Sequence, residues 1–297
     1  FHNRRGACWN LGNPRPHIRS GVRVMRAVSF SGGRTSALMA WLERSRPDFS
    51  HDTFRFVFMN TGAEDERTLA FVDRCDREFD LRVVWLEAEV RSGRKSTTHK
   101  IVSYQTATRG PRIFEDMARK YGIPNQSYPH CTRELKLRPF ESYMRHVAPD
   151  GYVRVIGIRS DEKDRISMGS KKFPVDYPLL NGWTKELVRH FWACMPFDLG
   201  LPEHRGNCVT CWKKSLRKLM TLATESPEDF DLFAYLEKYA HHGAGDKERR
   251  FFRGNRTVGD IFREADMGFE KFVDPLELDV LGGCGDSCEI FADGGFE

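Results

Sequence analysis

The residues best suited to chemistry form a short loop rich in glycine and hydroxyl side chains. In chain order they are Ser31, Gly32, Gly33, Arg34, Thr35 and Ser36. Glycines let a ligand approach the backbone, hydroxyls and a guanidinium offer donors, and a helix starting here points its first amides at an anion. We interpret the loop as a phosphate site; an ordinary strand-to-helix turn is the other interpretation. Two better-known phosphate loops, G-x-x-x-x-G-K-[ST] and G-x-G-x-x-G, are absent from this stretch.

Cysteine is the second chemically active residue type in the chain. The eight cysteines are Cys8, Cys75, Cys131, Cys194, Cys208, Cys211, Cys284 and Cys288. A chain of this length needs no disulfide framework, so clustered cysteines indicate metal ligands or catalytic thiols and a reducing, cytoplasmic compartment. The Cys208-x-x-Cys211 pair suits either a redox dithiol or half of a metal site. Cys131 precedes a predicted helix capped by Thr132, where the helix dipole favours a thiolate; an inert buried cysteine is the alternative.

Strands and helices alternate along much of the chain, and their order must position the loop. The apolar pattern predicts strands just before Ser31 and at 54–59, 82–86 and 152–158, with helices after the loop, at 64–79, at 132–147 and after Thr184. This order predicts an α/β fold with a doubly wound, mostly parallel sheet. Ligands bind at the carboxyl ends of such strands, so Asn60, Thr61 and Gly62 are expected beside the loop. The polar, basic residues 91–111 are predicted to be a mobile surface segment, either a solvated loop or a flap over the substrate.

Composition and charge leave many partners open. The chain has 297 residues, 40% hydrophobic and 30% charged, which fits one large α/β domain with a small appendage. No apolar run is long enough to suggest a membrane span, and a net charge of +5 permits an anionic partner without requiring one. Residues 1–24 contain five arginines and no acidic residue. We expect the native protein to begin at Met25, with a basic nucleic-acid-binding arm as the alternative.

Two larger parts are expected after this leader. Residues 25–200 should form the nucleotide-binding domain, and residues 201–297 a helical C-terminal part with helices at 226–241 and 258–265. That part contains the Cys208–Cys211 pair. It ends in an acidic tail that starts at Asp274 and includes Cys284 and Cys288.

The loop and several later segments resemble one known family. Ser-Gly-Gly-x-x-Ser after a first strand is the pyrophosphate loop of the adenine-nucleotide α-hydrolases, and the chain looks most like their phosphoadenosine-phosphosulfate (PAPS) reductase branch. The supporting segments are Cys131-Thr132-Arg133, Gly157-Ile158-Arg159 and Pro178-Leu179 followed by Trp183-Thr184. The resemblance covers residues 25–220, with a weaker echo at 284–288. The chain departs from the family at Asn60, where an acid is usual, at His130, where some members have a second cysteine, and at Ser287, where the reductases have histidine.

The resemblance implies an enzyme that binds ATP, or a related adenine nucleotide, with Mg²⁺. Its nucleotide-binding residues would be those of the loop at 31–36 together with Thr61, Gly62, Arg159 and Arg165. Members of the superfamily usually cut ATP between the α- and β-phosphates and adenylate an acceptor. Relatives that thiolate DNA or RNA imply sulfur transfer to a nucleic-acid or small-molecule acceptor, from a donor such as a cysteine desulfurase or thioredoxin.

The same resemblance implies a 4Fe–4S cluster, with zinc as the alternative metal. Its ligands would be Cys131, Cys208, Cys211 and Cys288, with Cys284, Cys194 and His130 as other choices for the fourth position. Cys284 and Arg159 would then act in catalysis. Two other functions stay open: a thioredoxin-linked PAPS or adenylyl sulfate reductase, and a nucleotide- or nucleic-acid-binding protein with a zinc knuckle and no turnover. The oligomeric state is open as well.

Metal analysis separates these functions. We expect anaerobically purified protein to contain iron and acid-labile sulfide, both lost in Cys211→Ala because a cluster needs its thiolate ligands. Zinc, or no metal, in the unmodified protein would contradict the iron–sulfur assignment.

Overall fold

Six strands form one mixed sheet in a computed structural model that describes residues 24–166, 174–239, 242–243 and 245–273. The strands are β1 (Met25–Ser29), β2 (Phe54–Asn60), β3 (Val84–Glu89), β4 (Thr98–Val102), β5 (Tyr152–Val155) and β6 (Val175–Asp176). They lie in the order β4-β3-β2-β1-β5-β6, and all neighbours are parallel except β3 and β4. The predicted α/β class and mostly parallel sheet are therefore confirmed.

The strand order reverses between β1 and β5. From β1 the chain builds outward through β2 and β3, and it later returns to add β5 on the other side of β1. In an open parallel sheet this reversal leaves a crevice at the carboxyl ends of the two strands, because their connections run to opposite faces. The loop at 31–36 follows β1, so it borders this crevice.

Strand β2 shows how the sheet separates two cores. Its Phe54, Phe56 and Phe58 face α1 (Arg34–Arg44), α2 (Glu66–Phe79) and α5 (Lys185–Cys194), while Val57 and Met59 face α4 (Arg138–Val147). Successive strand residues point to opposite faces, and both faces of this strand are apolar because helices cover both. Thr184 caps α5 as predicted, its hydroxyl accepting a hydrogen bond from the amide of Leu187.

The third strand was predicted two residues too early. It begins at Val84 and not at residue 82, because Asp80 and Arg82 both have positive φ, +51° and +56°. A left-handed residue breaks the extended backbone of a strand, so pairing starts only beyond them. The fourth predicted strand is shorter than expected, since regular pairing of β5 ends at Val155.

The prediction of a mobile segment at 91–111 was wrong in part. Residues Thr98–Val102 form β4, which pairs antiparallel with β3 at the edge of the sheet. A helix that the pattern did not reveal, α3 (Arg112–Tyr121), follows directly. Lys120 at its end donates to the carbonyl oxygens of Arg91 and Arg94, so part of the basic segment is fastened to α3.

The C-terminal helices share a core of their own with α3. This core contains side chains of α3, α6 (Leu216–Glu225), α7 (Asp231–Tyr239) and α8 (Val258–Asp266), among them Phe114, Leu222, Phe233 and Ile261. A short two-stranded ribbon, β7 (His242–Gly243) with β8 (Gly245–Glu248), interrupts the helices. The domain boundary at residue 200 stays a prediction. Among the described residues, no helix has the length and apolar character to cross a membrane.

A buried ionic cluster joins α5 to α6. Glu203 accepts hydrogen bonds from Lys218, at 2.8 Å, and from Lys185 and Arg189. Both Glu203 and Lys218 are nearly inaccessible, at 5% and 1% exposure. Burial acts to raise the pKa of Glu203, but Lys218 and Lys185 outweigh it and lower that pKa to about 2. The ionised form of Glu203 is therefore more stable in the folded than in the unfolded chain, and it stabilises the fold.

Glu203→Gln should destabilise the protein by about 3 kcal/mol at neutral pH, because it leaves buried cations without their partner. Since the folded pKa is depressed, this stabilisation is present above the ordinary pKa of 4.5 and is lost as the pH falls toward about 2. Urea titrations over this range should show the difference from the unmodified protein shrinking with acid. Glu89→Gln, which breaks a surface pair with Arg91, should cost less than about 1 kcal/mol. Equal effects of the two variants would contradict the assignment.

Candidate functional site

The loop at 31–36 is held by its own hydroxyl groups. The backbone amide and the hydroxyl of Ser31 both lie within hydrogen-bond distance of Ser36 Oγ, at 3.1 and 2.9 Å. The Ser36 hydroxyl in turn donates to the carbonyl oxygen of Gly33 at 3.0 Å. These bonds close the loop over the start of α1, so its shape is set before any ligand arrives.

Gly32 has no room for a side chain. Its φ is +84°, and a Cβ there would lie 2.6 Å from Thr68 Cγ2 and 3.2 Å from atoms of Phe58 and Val72. The loop therefore presses directly on α2 and β2. A glycine is required both by the backbone conformation and by this close approach.

The N-terminus of α1 carries no side-chain cap. Its N-cap is Gly33, and its first turn contains no acidic residue. The helix begins at Arg34, one residue before the earlier of the two predicted starts, Thr35 and Ser36. Both of those side chains are completely buried. An uncapped helix start of this kind favours an anion through its amides and its dipole.

Arg34 makes a bidentate ion pair. Its Nε and Nη2 lie 2.7 and 2.6 Å from the two carboxylate oxygens of Asp198. Burial acts to raise the pKa of Asp198, but the ion pair with Arg34 brings that pKa below its usual value. The indole of Trp192 also donates to the carbonyl oxygen of Arg34. Arg34 thus ties the loop to the segment after α5, and its predicted contact with a nucleotide stays a prediction.

Arg159 reaches the loop from the segment that follows β5, the strand on the other side of β1. Its Nη1 donates to Thr35 Oγ1 at 3.1 Å, across the crevice where the strand order reverses. The side chain is 5% exposed and also pairs with Asp161 and Glu162. Burial acts to raise the pKa of Asp161, but Arg159 brings it below its usual value. Arg165 pairs with Glu162 at 2.7 Å, so the two predicted arginines belong to one ionic network next to the loop.

The turn after β2 brings a cysteine to the same edge of the sheet. Thr61 donates through its amide and hydroxyl to the carboxylate of Glu64, and its Oγ1 lies 3.5 Å from Cys208 Sγ. Glu64 and Cys208 form an isolated β-bridge. A Cβ on Gly62 would come 2.4 Å from the carbonyl oxygen of Gly110, so this glycine too is required by close packing.

Glu87 was missed in the sequence. It lies in β3, paired in register with Asn60 at the end of β2, and is 3% exposed. Its carboxylate accepts hydrogen bonds from the side-chain amide of Asn60 and from the backbone amide and hydroxyl of Thr108. These are neutral donors, which satisfy a buried carboxylate without neutralising it. The available signal was a carboxylate interrupting the apolar pattern at a strand end.

The predicted metal ligands are only partly brought together. Cys208 and Cys211 share one turn, in which the amide of Cys211 donates to the carbonyl oxygen of Cys208. Within the ranges that the structure describes, no group of three or more His, Cys, Asp or Glu side chains is arranged to hold a metal ion. Cys284 and Cys288 lie outside the described residues. The described cysteines alone do not form the implied cluster, which stays a prediction.

Cys131 opens a π-helix, and the predicted cap at Thr132 was wrong. The π-helix spans Cys131–Leu137 and continues into α4 without a side-chain cap at either junction. Pro139, the second residue of α4, lacks the N–H that an α-helix would bond to the carbonyl four residues earlier, which suits a widened turn at this point.

Comparison with known proteins gives relatives but no matching family model. The nin region protein ORF290 of Escherichia phage lambda, described as uncharacterized, is 33% identical over 285 residues, or 90% of this chain and 96% of the relative. Two uncharacterized proteins of Methanocaldococcus jannaschii match shorter stretches. MJ0066 is 26% identical over 46% of this chain and 23% of its own length, and MJ0973 is 25% identical over 40% and 22%. Only the phage protein among these three corresponds over nearly its whole length.

Gly32→Ala should destabilise the protein by about 3 kcal/mol, since it combines a left-handed φ with a clash. Removing the clashing methyl group in Gly32→Ala/Thr68→Ser should recover part of this loss relative to Thr68→Ser alone. Gly93→Ala is the matched control, because a Cβ there meets nothing within 4 Å. Thermal or urea unfolding measures all four variants, and a Gly32→Ala protein as stable as Gly93→Ala would contradict the packing argument.

Proposed function

We propose that this chain, which belongs to the family of the nin region protein ORF290 of phage lambda, is an enzyme that binds the phosphates of ATP or a related adenine nucleotide. The phosphates lie against the loop at 31–36. The nucleotide adenylates an acceptor, a nucleic acid or a small molecule, which then receives sulfur. This activity follows the resemblance to the PAPS reductase family of adenine-nucleotide α-hydrolases.

One observation carries the nucleotide site: the hydrogen bond from Arg159 to Thr35 across the crevice. It brings a guanidinium beside the uncapped start of α1. The glycine of the loop at 31–36 lets a ligand come close to the backbone there. Guanidinium groups match phosphate oxygens in a bidentate manner, and a helix N-terminus adds amides and dipole. Strand order puts the group where ligands of such sheets bind. Thr61 and Gly62 follow the neighbouring strand and border the same edge.

The charges near the loop support a role for a divalent cation. Arg159 and Arg165 are already balanced by Asp161 and Glu162. The described part of the site therefore offers little net positive charge to a polyphosphate. Mg²⁺ bound to the phosphates would supply that charge and stabilise the departing pyrophosphate.

Cys208 supports the assignment to sulfur chemistry. Its thiol lies against Thr61 and Glu64, at the same sheet edge as the loop. This thiol lies at the edge where the nucleotide is proposed to bind, and a reducing cytoplasm would keep it reduced. A cysteine desulfurase would serve as the sulfur donor, and thioredoxin would supply electrons. Cys284, the proposed nucleophile, belongs to the tail outside the described residues.

Arg159→Gln should weaken ATP binding about 10- to 100-fold in the presence of Mg²⁺, because a charge-assisted contact is worth roughly 1.5–3 kcal/mol. Arg44→Gln is the matched control, since Arg44 lies at the opposite end of α1 in a surface pair with Asp80. Isothermal titration calorimetry measures both, with melting curves to confirm folding. Equal ATP affinities of the two variants would contradict a nucleotide site formed by Arg159 and the loop at 31–36.

The reaction itself is tested by its products. Incubation with ATP, Mg²⁺ and a sulfur donor should release pyrophosphate and AMP once the right acceptor is present. Formation of sulfite from PAPS and thioredoxin would show that the protein is a reductase and would contradict sulfur transfer. Binding of ATP without any product, over a broad set of acceptors, would favour a nucleotide-binding protein without turnover.

A further inference from the structure

A strip of aromatic and basic side chains lies on the surface of α3, α7 and the segments next to them. We propose that it binds single-stranded nucleic acid. The aromatic–basic strip consists of Arg119, Lys120, Tyr121, Tyr128, His130, Tyr235, Tyr239 and Arg249. As an assignment of the acceptor class this inference rests on the proposed function, whereas the binding itself does not require it.

One half of the strip is a stack of rings with a cation on top. The rings of Tyr128 and His130 are 6.0 Å apart and inclined by 25°, and the ring of Tyr121 lies 5.8 Å from that of His130, inclined by 32°. The guanidinium carbon of Arg249 is 4.0 Å from the centre of the Tyr128 ring. Rings and cations alternating in this way match the bases and phosphates of a nucleic-acid strand.

Arg249 adds a cation that forms no ion pair with any carboxylate whose side chain the structure describes. It donates to the carbonyl oxygen of Tyr121, and its Nη1 lies 3.1 Å from His130 Nε2. Arg133 approaches the other ring nitrogen at 3.1 Å and pairs with Glu134. A neutral imidazole accepts only one hydrogen bond, so His130 cannot satisfy both arginines. An anion would give Arg249 the partner that its present contacts do not.

The other half repeats the same arrangement on α7. The rings of Tyr235 and Tyr239 are 4.8 Å apart, and Arg119 donates to the Tyr235 hydroxyl at 2.7 Å. Arg119 and Lys120 are neighbours at the end of α3, and Lys120 lies 4.9 Å from the centre of the Tyr121 ring. The two adjacent cations connect the halves. Lys120 also fastens the exposed basic segment that contains Arg94 and Lys95 beside them.

Exposure distinguishes this strip from ordinary surface tyrosines. Tyr128, Tyr235 and Tyr239 are 46%, 38% and 60% exposed, and they are the large exposed aromatic side chains among the described residues. All three lie on the strip, and each has a cation against its ring or hydroxyl. A duplex hides the faces of its bases, while a single strand presents them for stacking. The exposed rings therefore favour a single strand over a double helix.

The test measures fluorescence anisotropy with labelled oligo-dT, oligo-rU and a mixed-sequence duplex. Single strands should bind more tightly than the duplex, and Tyr128→Ala or Tyr239→Ala should weaken that binding about 5- to 30-fold. Tyr128→Phe should bind as well as the unmodified protein, because stacking needs the ring and not the hydroxyl. Arg249→Gln should lower the salt dependence of binding by about one ion. The preference between oligo-dT and oligo-rU identifies the natural strand.

Met267→Ala is the control, since Met267 is 74% exposed and outside the strip. Preferred binding of the duplex, or equal binding by Tyr128→Ala and Met267→Ala, would overturn the proposal. Calorimetry with ATP separates the two sites: the tyrosine variants should keep full ATP affinity, and Arg159→Gln should keep oligonucleotide binding. If the protein binds ATP but no oligonucleotide, the proposal for the aromatic–basic strip fails and the proposed nucleotide site stands.

Discussion

The contact between Gly32 and α2 is the constraint on which the candidate site depends. Gly32 has a φ of +84°, and Thr68, Phe58 and Val72 pack against it, so a residue with a side chain does not fit at this position. The contact draws the start of α1 down to the end of β1. Only then can Ser36 close the loop onto Ser31 and Thr35 meet Arg159. The geometry of the crevice thus depends on a residue without a side chain at position 32.

Along this edge of the sheet, several buried polar groups are satisfied by one another. Glu87 is buried among neutral donors, and Arg159 is balanced by carboxylates on its own turn. Such networks fix side-chain positions at a cost in desolvation, which is typical of sites that must be ordered before the ligand binds. The uncapped start of α1 is the exception, because no side chain completes it. The contrast supports the start of α1 as the place where phosphate binds, with Arg159 of the ionic turn beside it.

The sequence predicted the parts whose signals are local. The apolar run of β2, the cap at Thr184 and the strand–turn–helix around the glycine loop each have their signal within a few residues, and the structure agrees with them. The missed features depend on distant contacts. Glu87 is paired with an amide 27 residues away, and the left-handed residues before β3 have no glycine to signal them. The π-helix at Cys131 follows a hydrogen-bond pattern that residue type does not encode.

The helical C-terminal part contributes to both proposed sites through different contacts. Its Cys208 pairs with Glu64 just beyond β2, which brings a thiol to the edge where we propose that the nucleotide binds. Helix α7 packs against α3 and presents tyrosines to the aromatic–basic strip. Helix α3 belongs to the same core, although it precedes these helices by about 100 residues in the chain. A single apolar core therefore underlies both the segment that carries the thiol and the helices that carry the strip. This arrangement gives a physical reason for the proposed enzyme to carry an additional helical part: it links the surface that would hold an acceptor strand to the edge where the nucleotide would react.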